Sequence, residues 1–216
     1  MNPTCFIPVL TVITFLCVKL QTTSAQEAPN DDEATFLYFA YGSNMLTKRI
    51  HINNPTAVQK YIGFIENHRL DFNGFSKRWQ GAVATIVPHT SSDLKVWGVV
   101  WKINMKDLPH LDDQEGVKFN SYFAKSVTVN IPGGNRVEAR VYEQCRLPDK
   151  YVRPDLLPPE RQPSLVYLST MTEGAKEFGI PENYVRYLES FKNNGYNGSM
   201  MVNVEKYGSK LTKVQS

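Results

Sequence analysis

Apolar and aromatic residues in this chain fall into short strand-like runs, separated by glycine, asparagine and proline. Phe36-Leu37-Tyr38-Phe39-Ala40-Tyr41 is continuously apolar, which suits a strand buried on both faces. Residues 61–65, 68–72, 81–87 and 96–103 are also β-like, and Val96-Trp97-Gly98-Val99-Val100-Trp101-Lys102-Ile103 is the clearest of them. Residues 122–131 and 136–142 alternate on either side of Pro132-Gly133-Gly134-Asn135, which predicts a hairpin. Helical spacing is rarer. Asn44 is placed to cap a short helix through Leu46, Arg49 and Ile50. Leu108 and Leu111 mark a helix over residues 105–114 that stops at Gly116. Two more helices are predicted over residues 164–178 and 181–191, with Pro181 in a first turn.

Residues 73–78 read as a mobile loop, and residues 147–163, with five prolines, as an extended one. The polar, acidic residues 26–35 read as a disordered lead-in, and residues 193–216 as a loose polar tail. Between them, residues 36–192 form one α+β domain: a mostly antiparallel curved sheet or small barrel with flanking helices. A chain of 216 residues with 42% apolar side chains can bury a core of that size.

Residues 1–25 follow a different pattern. No charged side chain occurs from Cys5 to Val18, and Thr23-Ser24-Ala25 supplies the small residues of a signal-peptidase site. The run is shorter than the roughly 20 residues a stable membrane span needs. We therefore expect a cleaved leader, a cut after Ala25, and secretion. Cleavage would remove Cys5 and Cys17, leaving Cys145 as the only thiol and no intramolecular disulfide. Cys145 ends a strand-like stretch and reads as a buried structural thiol. Asn197-Gly198-Ser199 is a glycosylation sequon that secretion would make usable, whereas proline spoils Asn54-Pro55-Thr56. The formal net charge of +3 is small and scattered, so nucleic acid is not an expected partner. Lys48-Arg49 and Lys77-Arg78 read as solvated faces.

Several chemistries lack their residues. The histidines at 51, 68, 89 and 110 stand singly, without metal-ligand spacing, and no nucleotide fingerprint occurs. Ser43 follows a strand but has neither the Gly-x-Ser-x-Gly setting nor a histidine tied to it. Two segments remain. Gly42-Ser43-Asn44 is a tight turn whose successive N–H groups can converge on one ligand atom. Leu111-Asp112-Asp113-Gln114-Glu115-Gly116-Val117 offers Glu115 as a proton acceptor. Taken alone, the first is commonly a structural turn and the second a solvated helix end. Together they suggest a small-molecule enzyme that uses neither metal nor nucleotide.

Tyr38-Phe39-Ala40-Tyr41-Gly42-Ser43-Asn44-Met45-Leu46 and Asp113-Gln114-Glu115-Gly116-Val117 resemble the two signatures of the gamma-glutamylcyclotransferase family. The resemblance continues through residues 79–86 and 96–102 to Tyr167 and Glu173-Gly174-Ala175-Lys176-Glu177, in unbroken order. It implies an enzyme without cofactor that converts L-γ-glutamyl amino acids into 5-oxoproline and the free amino acid. It assigns Glu115 as general acid/base. It places Tyr38, Phe39, Ala40, Tyr41, Gly42 and Ser43 in a substrate-binding loop, with Tyr167 and Tyr122 as further contacts. A homodimer is also implied. Two other readings stay open: a γ-glutamylamine cyclotransferase, and a secreted relative that binds a small ligand without turnover. Well-known members are cytosolic, so the leader is a departure from the family.

Overall fold

Five strands curl into a closed barrel, in the order β1-β5-β2-β6-β7. The computed structural model describes residues 34–90 and 94–198. The leader, its cleavage site and most of the acidic lead-in lie outside them. The barrel strands are β1 (Thr35–Ala40), β2 (Val58–Ile65), β5 (Val96–Asn104), β6 (Tyr122–Asn130) and β7 (Arg136–Gln144). β3 (His68–Ser76) and β4 (Gly81–Pro88) form a separate antiparallel hairpin. β5 pairs with both β1 and β2 and most of its residues are buried, which explains its largely apolar sequence. A single parallel register pair, Tyr38 with Arg140, closes the ring.

The predicted elements are present with shifted limits. α1 (Thr47–Ile50) follows a 3-10 turn at Ser43–Met45, α2 (Leu108–Gln114) follows another at Met105–Asp107, and α3 (Leu165–Glu177) packs beside α4 (Glu182–Glu189). The hairpin between β6 and β7 turns at residues 132–135, with Ile131 N–H donating to Asn135 O at 2.8 Å. The long proline-rich segment contains two 3-10 turns, Pro154–Leu156 and Pro159–Arg161.

Three expectations about residues outside the site are corrected. Residues 73–76 are not a loop but the end of β3. Gly74, at φ 65°, absorbs a bulge, after which Phe75 pairs with Ala82 and Ser76 with Gly81. Cys145 is exposed, because β7 ends at Gln144 and the next residue leaves the sheet. The residues just past Asn193 are held rather than loose. Asn194 N–H donates to Pro163 O at 3.0 Å, its Nδ2 donates to Gln80 O at 2.7 Å, and Val166 N–H donates to Tyr196 O at 3.2 Å. Asn197 is exposed. Among the described residues no helix is long and apolar enough to cross a membrane, and no cluster of His, Cys, Asp and Glu has metal-binding geometry.

Candidate active site

The end of β1 delivers the chain into the turn Gly42-Ser43-Asn44, and α3 clamps that turn from outside. Gly174 of α3 makes the clamp possible: a Cβ there would lie 2.5 Å from Leu46 N and 2.7 Å from Met45 C. From inside, the buried Trp101 indole donates to Asn44 O at 3.0 Å. The glycine at 42 is needed for room rather than for an unusual dihedral, since its φ is −106°. A Cβ would meet the Tyr167 hydroxyl at 3.0 Å. α1 has only four residues, so the helix macrodipole expected behind the turn is slight.

Glu115 arrives from the opposite side, at the C-terminal end of α2. Gly116 takes left-handed dihedrals, φ 67° and ψ 34°, which ends the helix and turns the chain toward β6. α2 itself is tied to the barrel wall. Asp112 Oδ1 accepts from Arg140 Nη2 at 2.6 Å and from the Tyr142 hydroxyl, while Arg140 Nε donates to the same hydroxyl at 2.9 Å.

The two segments face each other across a cleft of about 320 Å³, measured out to its open mouth. Tyr38, Tyr41, Gly42, Ser43, Glu115, Tyr122 and Tyr167 all line it. So do three residues that the sequence did not single out as lining: Asn44, Tyr142 and, on β4, Ala84. Phe39 and Ala40 do not line it. Their side chains are 0% and 1% exposed in the core, and both residues pair with β5, so they support the turn from behind.

Asn44 was expected to cap a helix, yet no side-chain cap forms at either the 3-10 turn or α1. Its amide is turned into the cleft instead. Nδ2 donates to the Tyr38 hydroxyl at 3.1 Å and to Glu115 Oε1 at 3.2 Å. Gln114 Nε2 donates to Asn44 Oδ1 and to Glu115 Oε1, both at 3.1 Å. Arg49, expected on a solvated face, is buried behind this pair and donates from Nη1 to Gln114 Oε1 at 3.2 Å. No period in the sequence marks these partners, which are as many as 71 positions apart.

Electrostatics follow from the packing. Glu115 keeps some exposure through the mouth, but its carboxylate sits among tyrosines. Burial pushes its pKa up, against the opposing pull of the Gln114 hydrogen bond, Arg49, Arg78 and the Asn44 hydrogen bond. Burial also pushes Tyr38, Tyr41 and Tyr122 well above the ordinary phenol value, with the Glu115 charge adding to each. Tyr167 is pushed up to about 12, again chiefly by burial. The phenols therefore stay neutral near physiological pH. Glu115 is the only carboxylate among the described residues lining the cleft.

The phenols are also fixed in direction. Ala84 N–H donates to the Tyr167 hydroxyl at 3.2 Å, and the Ser43 main chain interacts with the same oxygen. Tyr122 donates to Ala84 O at 2.7 Å and accepts from Gln144 Nε2 at 3.0 Å. Tyr41 donates to Tyr142 O at 2.6 Å. One carboxylate, positioned by two amides and ringed by neutral hydroxyls, can exchange a proton with a small bound molecule.

A family model described as AIG2-like family matches residues 95–188. A gamma-glutamylcyclotransferase of Bos taurus is 37% identical over 184 residues, which is 83% of this chain and 91% of the relative. The chain belongs to the gamma-glutamylcyclotransferase family. A gamma-glutamylcyclotransferase of Homo sapiens is 36% identical over 190 residues, 86% of this chain and 94% of the relative. A solved structure of a gamma-glutamyl cyclotransferase shares the fold with a TM-score of 0.68 and 36% identity, over 80% of this chain and 97% of that one. Within this family member, the AIG2-like match runs from β5 to α4 and takes in Glu115, Tyr122 and Tyr167.

Proposed function

We propose that this protein converts L-γ-glutamyl amino acids into 5-oxoproline and the free amino acid, with Glu115 as the acid/base. The observation that carries the reading is the position of Glu115: its carboxylate shares one small cleft with the turn at Gly42 and Ser43, 3.2 Å from Asn44 of that turn.

The chemistry needs little more than this. The substrate's own α-amine attacks its γ-carbonyl carbon, so nucleophile and electrophile arrive in one molecule. Holding them in a near-attack geometry can supply several kcal/mol. The amine enters as an ammonium, which has no lone pair to offer. Glu115 takes one proton from it, and the new N–C bond forms as the carbonyl oxygen becomes an oxyanion. That oxygen would lie at the Gly42-Ser43 turn, where it competes with the Tyr167 hydroxyl for the main chain of Ser43. When the C–N bond to the leaving amino acid breaks, Glu115 returns its proton to the departing nitrogen. The ring nitrogen sheds its second proton as the lactam forms, and the released amine takes up a proton to leave as an ammonium, so proton count and charge close without a cofactor. The neutral Tyr38 and Tyr167 hydroxyls, which accept from Asn44 and Ala84, keep their own hydrogens to donate to substrate carboxylates.

The leader over residues 1–25 supports a further part of the reading, that the chain is exported with its cut after Ala25. Sequencing the N-terminus of protein recovered from the medium of expressing cells tests it, and retention with Met1 intact would reject it. A homodimer is proposed on family resemblance alone, and light scattering of the purified chain tests it.

For the activity, purified protein incubated with γ-glutamyl-alanine should release 5-oxoproline, and Glu115→Gln should lower kcat by a factor on the order of a hundred or more. Turnover of γ-glutamyl-lysine isopeptide alone would move the substrate class to γ-glutamylamines. Tight binding without product, unchanged in Glu115→Gln, would make the protein a ligand binder.

A further inference from the structure

Arg49 is 4% exposed, yet among the described residues it has no carboxylate partner. Its Nε lacks a hydrogen bond, and its guanidinium lies 5.9 Å from the centre of the Trp79 ring. Among the described residues its guanidinium hydrogen-bonds a neutral group, Gln114 Oε1. A cation buried this way costs stability unless its environment compensates. The partners of Gln114 show what it does there.

Arg49 Nη1 and Asn53 Nδ2 converge on Gln114 Oε1 at 3.2 and 2.8 Å. A guanidinium can only donate, so the Gln114 amide cannot turn its nitrogen toward it. Nε2 must then face Asn44 Oδ1 and Glu115 Oε1. With Oδ1 occupied, Asn44 must present Nδ2 to the Tyr38 hydroxyl and to Glu115 Oε1. The arrangement has one sense only: the ionised Glu115 carboxylate enforces it from one end, and Arg49, which can only donate, enforces it from the other even when Glu115 carries a proton. Remove Arg49, and only the Asn53 amide, which can itself turn over, keeps the Gln114 oxygen from facing a protonated Glu115.

We propose that Arg49 is a positioning residue for proton transfer, polarising a one-way relay through Gln114 and Asn44. The relay saturates Glu115 Oε1 with N–H donors and reserves Oε2 for the substrate amine. This rests on the acid/base reading of Glu115. Other charged groups near Glu115 do not enter the relay. On α2 itself, Asp112 pairs with Arg140 and Asp113 with Lys118. From the β3–β4 hairpin, Arg78 acts on Glu115 through space. The facing phenols, Tyr38 and Tyr41 at the end of β1, Tyr122 on β6 and Tyr167 on α3, remain neutral.

The test uses the full chain carrying Arg49→Met, Arg49→Lys, Gln114→Glu or Arg78→Gln, with two readouts. One is 5-oxoproline release from γ-glutamyl-alanine across pH; the other is infrared titration of the Glu115 carboxyl, assigned with Glu115→Gln. Arg49→Met should lower kcat roughly ten- to a hundredfold with a smaller change in KM, as misplacement of a catalytic group does. The acid limb of kcat/KM should move to higher pH, and Arg49→Lys should recover part of the loss. Gln114→Glu is the discriminating variant, and it does not depend on whether Arg49→Met folds. It gives Arg49 a carboxylate partner but cannot donate to Asn44 or Glu115, so it should be as impaired as Arg49→Met. A folded, fully active Gln114→Glu would overturn the relay and leave Arg49 a structural role. If the unmodified protein releases no 5-oxoproline, the acid/base reading fails, and the titration judges the relay by itself. Arg49→Met, or Arg49→Lys in its place, must then shift the Glu115 midpoint more than Arg78→Gln does; an equal or smaller shift overturns it.

Discussion

Burial raises the Glu115 pKa, and the hydrogen bond from Gln114, the charges of Arg49 and Arg78, and the hydrogen bond from Asn44 only partly oppose it. Two consequences follow from that sign. As a base, Glu115 must be ionised, so the acid limb of kcat/KM should lie above the ordinary glutamate range; a limb at or below that range would contradict the structure. For stability, the folded pKa exceeds the unfolded one. The favourable contribution is therefore complete below the ordinary carboxylate value and is lost as pH rises through the folded value. Glu115→Gln removes that loss. Its Tm should exceed that of the parent at neutral pH, with the gap closing in acid, as a melting series over pH would record. The residue scale also shows where sequence reading stops. Glu115 and the tyrosines were legible from their motifs. Asn44 was not: asparagine after a turn is a usual helix cap, and only its distant partners reveal another use.

At the scale of elements, the site depends on how closely α3 approaches the turn after β1. Gly174→Ala places a Cβ against main-chain atoms of Met45 and Leu46 rather than against a side chain that could move aside. The helix must withdraw, at a cost of about 1–3 kcal/mol for overpacking. Because the same turn carries Asn44 and Ser43, kcat should fall with stability. Urea denaturation beside the product assay checks both; loss of stability with kcat intact would show that the turn holds its shape without the clamp. The β3–β4 hairpin teaches a related lesson. Residues 73–78 look like a loop because the bulge at Gly74 interrupts the period of two, while pairing with β4 continues beyond it.

At the scale of the whole molecule, a buried carboxylate outside the cleft lining ties remote segments together. Asp71 on β3 accepts from Arg69 Nη2 at 3.1 Å, from Phe72 N–H at 2.7 Å and from Arg161 Nη2. Arg161 also donates to Lys150 O at 3.0 Å and to Phe72 O at 3.3 Å, so one cluster pins the proline-rich segment onto the hairpin. That hairpin carries Ala84, and the segment leads directly into α3 and Tyr167. Asp71→Ala leaves two arginines buried without their carboxylate and should cost about 3–5 kcal/mol. Chemical denaturation measures the loss. A change under 1 kcal/mol would mean that the cluster behaves as an exposed pair.

Local pattern alone determined much of this protein. Apolar runs and alternation located the strands, Pro132-Gly133-Gly134-Asn135 located the hairpin, and Gly116 located the end of α2, because each depends on backbone preferences of adjacent residues. The same pattern could not tell that Arg49 is buried, that Cys145 is exposed, or that Phe39 and Ala40 support the turn without facing the cleft. Those outcomes belong to the tertiary structure. They are decided by which side chains from remote segments reach one another once the barrel closes, and a hydrogen bond spanning 71 positions leaves no trace in the neighbours of either partner.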